Sequence, residues 1–396
     1  MKKSLVALAA LAATTAFAQS SVTLYGVADV WLGNSKTTTT TAAGASYVIP
    51  AIVAAPGATL TAGQTADNAA NAKANAANGV GQNLMGSGGI NGSRFGLRGT
   101  EDLGGGLKAN FQLENGFNID SGSAAQGGLL FGRQAFVGLS GGFGAVTFGR
   151  QYTAYDEARG GSDLMGHSAF SPTAGPVWGG AALGAATATP NRAYGFRADN
   201  TIRYGTNNFG GFTAAVTYSL GENKSTSGSA GATLSLHGAY NNGPIAVFAA
   251  YQQEKNPTGS GASALANGGF SAQAGTTSET HALISGAYDL GVAKLRVAYN
   301  QSKDNAPGTA NADKEFTFGV AAPLGPVTLE AEYATMKNNA AKANGIGIQA
   351  KYNLSKRTFA YVGLLSAKNK DLAPATGAEN YTTKTSLVAV GIRHGF

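Results

Sequence analysis

The chain has 396 residues, 58 of them glycine, and only 12% of its residues are charged. It contains no cysteine, which excludes a disulfide framework and a thiolate metal site. The formal net charge of +7 is spread along the chain without a lysine or arginine cluster, and this argues against a nucleic-acid-binding protein.

The N-terminus has the pattern of a secretory signal peptide. Lys2 and Lys3 precede a run of apolar and small residues, and Ala16-Phe17-Ala18 has the form of a cleavage site. We predict a cleaved signal peptide over residues 1–18 and a mature chain over 19–396, whose net charge is +5 because the two lysines are removed. An uncleaved membrane anchor is disfavoured, since the apolar stretch is too short and no stop-transfer pattern follows.

From Ser20 onward, one unit repeats: an alternating segment, a tight turn, a second alternating segment and a longer polar connection. Glycine, asparagine and proline in the tight turns supply the backbone angles that hairpins require. Seven turns and eight longer connections predict sixteen antiparallel strands, with both termini at the short-turn end, where the first and last strands can pair. The turns lie at 101–105, 141–144, 207–210, 241–244, 289–291, 323–326 and 353–356.

Apolar and polar residues alternate within the predicted strands. Leu234 and Leu236 share one face, whereas Thr233, Ser235 and His237 share the other. In a soluble sandwich the apolar face would be the core, but in a membrane barrel it would meet lipid while the polar face lined a water-filled lumen.

The tyrosines distinguish these two arrangements. Folded as hairpins, the strands carry two rows of tyrosine at opposite edges of an apolar band, as expected for aromatic girdles at both membrane interfaces. We therefore predict an all-β fold, a transmembrane antiparallel 16-stranded β-barrel. One row is Tyr218, Tyr251, Tyr299 and Tyr333, and the other is Tyr240, Tyr288 and Tyr352.

Two of the longer connections stand out. Residues 34–92 are rich in alanine, threonine, asparagine and glycine, and we expect them to form a long extracellular first loop. This loop is either a contact site for phage, antibody or another partner, or simply a tolerated insertion. Residues 152–196 form the second long loop.

Several segments at the predicted strand positions together resemble the general porins of Gram-negative bacteria, especially those of β-proteobacteria. The first predicted strand opens with Ser21-Val22-Thr23-Leu24-Tyr25-Gly26, and the last ends with Gly391-Ile392-Arg393-His394-Gly395-Phe396. Between them, the segments 93–104, 132–139, 148–152 and 197–204 also resemble the family. The likeness spans nearly all of the mature chain.

The resemblance implies a homotrimer of barrels, each with its own pore, short periplasmic turns and long extracellular loops. It also implies that loop 152–196 folds into the barrel and narrows the channel, with wall arginines facing acidic loop residues. The terminal Phe396 resembles the signal read by the barrel-assembly machinery. Matched by motif, the wall candidates are Arg94, Arg98, Arg133 and Arg197, and the loop candidates are Asp156, Glu157 and Asp163.

Strand parity supports the lumen direction of the first two arginines. Arg94 and Arg98 alternate with Phe95 and Leu97, so both arginines are expected to face the lumen.

Parity separates two other arginines. Arg133 lies on the opposite face from Phe136, and we expect Arg133 to point inwards on that basis. Arg150 shares parity with Phe148, so it is expected to point outwards and is excluded from the constriction.

These features predict a general diffusion porin that passively transports ions and small hydrophilic solutes across the outer membrane. The arginines and the net charge of +5 favour mild anion selectivity, while Glu330, Glu332 and the loop acids count against it. We expect contacts with outer-membrane lipid and lipopolysaccharide, and neither a cofactor nor a metal.

Three alternatives fit less well. An enzyme would need a nucleophile and a base, yet the four histidines have no defensible partners and are too scattered to suggest a zinc site. A secreted adhesin would explain the first loop but not the two tyrosine rows. A substrate-specific channel would need an aromatic track, for which only Trp31 and Trp178 are available.

Overall fold

The fold is described by a computed structural model, which covers residues 21–41, 79–174, 177–178, 195–221, 231–255, 278–304, 312–339, 341–372 and 378–396. The predicted signal peptide and most of the predicted first loop lie outside these residues. No helix among the described residues is long and apolar enough to cross a membrane.

The described chain is almost entirely β-strand, because alternating apolar and polar residues recur between turn residues. One α-helix, α1 (Ala154–Ser162), follows β6. The strands are β1 (Ser21–Thr41), β2 (Gly81–Ser87), β3 (Arg94–Gly104), β4 (Leu107–Gly116), β5 (Gln134–Gly141), β6 (Gly144–Tyr152), β7 (Arg197–Gly205), β8 (Phe212–Ser219), β9 (Ala232–Asn242), β10 (Ile245–Lys255), β11 (Ser278–Asp289), β12 (Lys294–Asp304), β13 (Ala312–Leu324), β14 (Val327–Lys337), β15 (Ala341–Asn353), β16 (Thr358–Leu372) and β17 (Glu379–Gly395).

The strands close into one antiparallel barrel. Each pairs with its neighbours in sequence, and β1 pairs with β17 from Val27 to Thr41. Both β2 and β3 pair with β1, one along its second half and one along its first, so together they occupy a single barrel position. The barrel therefore has sixteen strand positions, as predicted.

The interruption between β2 and β3 is held by Asp29 of β1. Its buried carboxylate accepts hydrogen bonds from the backbone N–H groups of Gly89, Ile90 and Asn91, at 2.8 to 3.0 Å. The Tyr361 hydroxyl of β16 donates to the same carboxylate at 2.5 Å. Because Asp29 satisfies backbone donors that a continuous ladder would otherwise use, the chain can leave the sheet here.

The predicted bounds of the first loop, 34–92, are too wide. β1 continues to Thr41, and Gly81–Ser87 returns as β2, with seven residue pairs between them. The threonine-rich run that reads as loop composition is instead strand, since β-branched threonine fits a pleated sheet.

All seven predicted tight turns join consecutive strands, and the short-turn end contains both ends of the described chain. At Gly243 and Gly325 the backbone has φ of 55° and 61°, which glycine adopts without steric cost. The local turn chemistry was therefore sufficient to count the hairpins.

The two faces of the sheet differ as predicted. Large apolar side chains are exposed on the outer surface, together with Tyr218, Tyr299 and Tyr333 of one predicted row and Tyr288 and Tyr352 of the other. The inner face carries mainly threonine, serine, asparagine, glutamine and charged residues. This is the inverse of a soluble barrel core, and it indicates a lipid-facing exterior around a polar interior.

Candidate functional site

The polar interior contains the segment that follows β6, described over residues 153–174, 177–178 and 195–196, which we call the inner loop. Helix α1 is capped by Thr153, whose Oγ1 accepts a hydrogen bond from the Asp156 N–H at 3.3 Å. The helix then packs against the inner faces of β9 and β10, so this part of the chain lies inside the barrel.

Hydrogen bonds fix α1 to the wall. The backbone N–H groups of Ala154 and Tyr155 donate to the hydroxyls of Thr217 and Ser235, at 3.3 and 2.6 Å. The Tyr155 hydroxyl donates to Asn300 Oδ1 at 2.6 Å. Burial raises the pKa of this hydroxyl well above its usual value, so it remains a donor at any physiological pH.

The residues after α1 cross to β14, β15 and β16. The Leu164 N–H donates to Glu332 Oε2 at 3.0 Å, and the Ser168 hydroxyl donates to Gln349 Oε1 at 2.8 Å. The Phe170 ring lies against Gly363, where an added Cβ would overlap it. Small wall residues therefore allow the loop to approach the sheet closely.

Asp163 is used within the loop. Its carboxylate accepts hydrogen bonds from the N–H groups of Met165 and His167, both at 2.8 Å, and from the Ser171 hydroxyl at 3.0 Å. Burial alone would raise the pKa of Asp163, but the charges of His167 and Arg159 and these hydrogen bonds outweigh burial and hold the pKa below its usual value. Asp163 was predicted to face the wall arginines, and these side-chain hydrogen bonds instead lie within the loop.

Three of the four predicted wall arginines meet around one acid and one tyrosine. Arg133 Nε lies 2.6 Å from Glu114 Oε1, and Arg94 Nε lies 3.9 Å from Glu114 Oε2. Arg133 and Arg197 both donate to the Tyr152 hydroxyl, at 2.7 and 2.5 Å. We call Arg94, Arg133, Arg197, Glu114 and Tyr152 the arginine cluster.

The fourth predicted arginine lies apart from the arginine cluster. Arg98 is exposed and stacks over the Tyr25 ring, 5.1 Å from its centroid. It lies four residues along β3 from Arg94, towards the short-turn end of the same inner face. Arg98 therefore contributes charge to the path that leads to the cluster.

The two acids of α1 face different arginines. Glu157 forms a two-point ion pair with Arg203 of β7, with distances of 3.0 and 2.9 Å, and lies 3.6 Å from His237 Nδ1. The negative charge of Asp156, which is half-buried in the first turn, acts on Arg197. Glu157 therefore pairs with a wall arginine that was not among the predicted ones.

Parity alone would have found Arg203, which the sequence analysis missed. Arg203 alternates with Ile202 and Tyr204, whose side chains are exposed on the outer surface, so Arg203 faces inwards. Arg296 of β12 was also missed. It donates to the carbonyl oxygens of Gly161 and Asp163 and so anchors the loop.

The reason given for the direction of Arg133 was wrong. Phe136 faces the lumen, because it pairs with Gln112, whose amide donates to the lumen-facing Tyr25 hydroxyl, while Val137 is exposed outside. Arg133 precedes the first residue of β5, Gln134, and its side chain turns inwards from the end of the loop. Strand parity does not apply to it.

A closed barrel with an apolar exterior, a polar interior and an inner loop defines a class of protein, the membrane pore. The family model for Gram-negative porins matches residues 4–372. Outer membrane porin protein 32 of Delftia acidovorans is 34% identical over all of both chains, and an outer membrane porin protein of Bordetella pertussis is 30% identical, also over all of both. A solved structure described as an anion-selective porin from Comamonas acidovorans superposes with a TM-score of 0.67 at 28% identity, covering 96% of this chain and all of that one.

The chain belongs to the Gram-negative porin family. It is an integral protein of the outer membrane and acts as a general porin, through which small solutes cross passively.

Proposed function

We propose that the pore is non-specific for ions and small hydrophilic solutes and prefers anions. The observation that carries this proposal is the composition of the arginine cluster, which contains three guanidinium groups and one carboxylate. Glu114 pairs with Arg94 and Arg133, while Arg197 donates to the Tyr152 hydroxyl. Adding the charge of Asp156 still leaves more guanidinium groups than carboxylates.

Excess positive charge in a narrow aqueous passage raises the local concentration of anions and lowers that of cations. Arginine is suited to this role because its guanidinium stays charged at any physiological pH. Arg133 and Arg197 are less than 10% exposed, so the wall around them screens their charge less than bulk water would.

The residues have distinct roles in the proposed constriction. Arg94, Arg133 and Arg197 supply the positive wall, with Arg98 extending it towards the periplasm. Asp156 and Glu157 supply the opposing negative charge from α1, although the ion pair with Arg203 largely neutralises Glu157. Asp163 holds the inner loop in shape and contributes little to the field.

Related proteins support this direction of selectivity. The structural relative from Comamonas acidovorans is described as anion-selective, and it is 28% identical to this chain. The inner-face acids Glu330 and Glu332 count against anion preference. However, Glu330 is paired with Lys351 at 2.6 Å, and Glu332 accepts hydrogen bonds from the inner loop.

We also propose that the protein forms a homotrimer, as the family resemblance implies. The barrel-assembly machinery inserts it into the outer membrane, where the trimer contacts lipopolysaccharide. Transport in this assembly involves no bond chemistry, no cofactor and no catalytic residue. Electrophoresis without boiling tests the assembly, since a porin trimer migrates as a stable, heat-modifiable oligomer.

The selectivity is tested with the purified protein in a planar bilayer separating two KCl concentrations. The reversal potential of an anion-preferring pore has the same sign as the chloride equilibrium potential. A reversal potential of the opposite sign would reject anion preference while leaving the porin function intact.

A further inference from the structure

Three side chains on the inner face of β10 and β11 converge near the long-loop end of the barrel. Glu254 lies directly across from Glu279 in the strand pairing, and Gln252 lies across from His281. His281 Nε2 is 3.9 Å from Glu254 Oε1 and 4.0 Å from Glu279 Oε2. One ligand atom of each of the three residues lies within 4.8 Å of the other two, and all three side chains are buried.

Two carboxylates facing each other across a strand pair repel unless a positive charge or a proton lies between them. Burial strengthens this repulsion, because water no longer screens it. In the described part of the chain, the ion-pair partner of Glu254 is His281, whose charge is conditional on protonation. A bound cation would remove the repulsion.

The Glu254 carboxylate retains capacity for such a ligand. Its Oε1 accepts hydrogen bonds from the Gly195 N–H and the Gln252 amide, both at 2.6 Å. Its Oε2 is buried and accepts no hydrogen bond from any described residue. A buried carboxylate oxygen without a donor is costly, and a metal ion satisfies it.

The His281 ring is held in the orientation of a ligand. Its Nδ1 lies 2.8 Å from Ser302 Oγ, and this hydroxyl also accepts a hydrogen bond from Asn300 Nδ2 at 3.2 Å. Metal-binding histidines usually hydrogen-bond through one ring nitrogen, which orients the other towards the metal. In this protein the nitrogen directed at the two carboxylates is Nε2.

We propose that Glu254, Glu279 and His281 bind one divalent transition-metal cation of the Zn²⁺ type per chain. One imidazole and two carboxylates form a set of nitrogen and oxygen ligands that such cations accept. Ligand atoms about 2.0–2.2 Å from zinc lie roughly 3.3–3.6 Å apart in a tetrahedral arrangement. The two distances from His281 Nε2 to the carboxylates, 3.9 and 4.0 Å, therefore need to shorten by only a few tenths of an ångström, and the carboxylates, which lie within 4.8 Å of each other, by about 1 Å.

The site is connected to both ends of the inner loop. Gly195, two residues before β7, donates to Glu254 and accepts a hydrogen bond from Gln252 at 2.9 Å. At the other end, the Tyr155 ring of α1 lies 5.8 Å from the His281 ring. A cation bound between the wall residues would hold both ends of the loop in place, so its expected role is structural.

The test uses the folded protein in detergent, stripped with EDTA and then equilibrated with micromolar ZnCl₂. Bound zinc is measured by elemental analysis after gel filtration, and Co²⁺ in place of Zn²⁺ reports coordination through its visible absorption. The variants are Glu254→Gln and His281→Gln, and the matched control is His394→Gln, since His394 is exposed at the short-turn end. Heat-modifiable migration confirms that each variant is folded.

We expect one equivalent of zinc per chain in the native protein and the control, and an affinity lower by roughly 100-fold or more in the two site variants, because even partners behind the ligands contribute 10–100-fold. Zinc binding below one equivalent in the native protein would overturn the proposal, as would equal affinity in native and variant proteins. If a site variant does not fold, Ser302→Ala, which leaves all three ligands in place, should still lower the affinity measurably. An unchanged affinity in that variant would also contradict the proposed orientation of His281.

Discussion

At the scale of single residues, Arg133 makes the closest contact to the acid of the arginine cluster, through its 2.6 Å ion pair with Glu114. We expect Arg133→Gln to lower the chloride-to-potassium permeability ratio, because it removes one positive charge and leaves Glu114 without its nearest partner. One unit charge acting over about 8 Å of water amounts to roughly 0.5 kcal/mol for each ion. Because chloride becomes less favoured and potassium more favoured, the ratio should change by roughly fivefold. Reversal potentials in a KCl gradient measure the ratio.

The matched control for this prediction is Arg357→Gln. Arg357 is exposed in the turn between β15 and β16, so its removal changes the net charge by the same amount away from the arginine cluster. Equal shifts in the two variants would mean that net charge, and not the arginine cluster, sets the selectivity.

Glu157 gives a prediction of opposite sign. Its carboxylate is held by Arg203 at 2.9 Å and 3.0 Å, so Glu157→Gln frees a guanidinium inside the lumen. We expect the chloride-to-potassium permeability ratio to rise, again by roughly fivefold. The reversal potential should therefore move in the direction opposite to that of Arg133→Gln, and a shift in the same direction would reject the assignment of Glu157 as an opposing charge.

At the scale of elements, the path of the inner loop depends on a close approach to β16. A Cβ at Gly363 would overlap the Phe170 ring, which is completely buried between the loop and the wall. We expect Gly363→Ala to displace the loop while the barrel still forms, since no strand pairing is lost. Single-channel conductance should change, and open-channel noise should increase because a displaced loop loses contacts that restrict it.

Gly286→Ala is the control for the loop prediction. Gly286 lies in β11, and an added Cβ there would meet no atom within 4 Å. This variant should conduct as the native protein does. Native conductance in Gly363→Ala as well would show that the loop yields to the methyl group without consequence for the pore.

Local patterns predicted the hairpins and the two faces of the sheet because turn geometry and side-chain alternation depend on neighbouring residues. They did not predict the break between β2 and β3, since the acid that holds it, Asp29, is about sixty residues away in sequence. The pairing of Glu157 with Arg203 was missed for the same reason. Which wall residue meets a loop acid depends on the path of the whole loop.

At the scale of the whole molecule, the barrel is closed where its first strand, β1, meets its last strand, β17, and the residue after it. The Gly26 N–H donates to the Phe396 carbonyl oxygen at 3.0 Å, and the Phe396 N–H donates to the Gly26 carbonyl oxygen at 3.1 Å. On the outer face of the barrel, Val388, Val390, Ile392 and Phe396 form an exposed apolar stripe. The C-terminal residue is therefore part of the closure as well as of the lipid-facing surface.

Deleting Phe396 removes both the aromatic ring and the two closing hydrogen bonds. We expect a large loss of assembled trimer, measured by the heat-modifiable band, with little change in the conductance of the channels that do form, because the arginine cluster lies elsewhere in the lumen. Phe396→Leu separates the two causes, since it keeps the backbone hydrogen bonds and an apolar side chain but removes the ring. If the aromatic ring is the assembly signal, Phe396→Leu should assemble as poorly as the deletion. Normal assembly of Phe396→Leu would instead assign the loss to the open sheet edge, whose unpaired backbone groups cannot be solvated in the membrane.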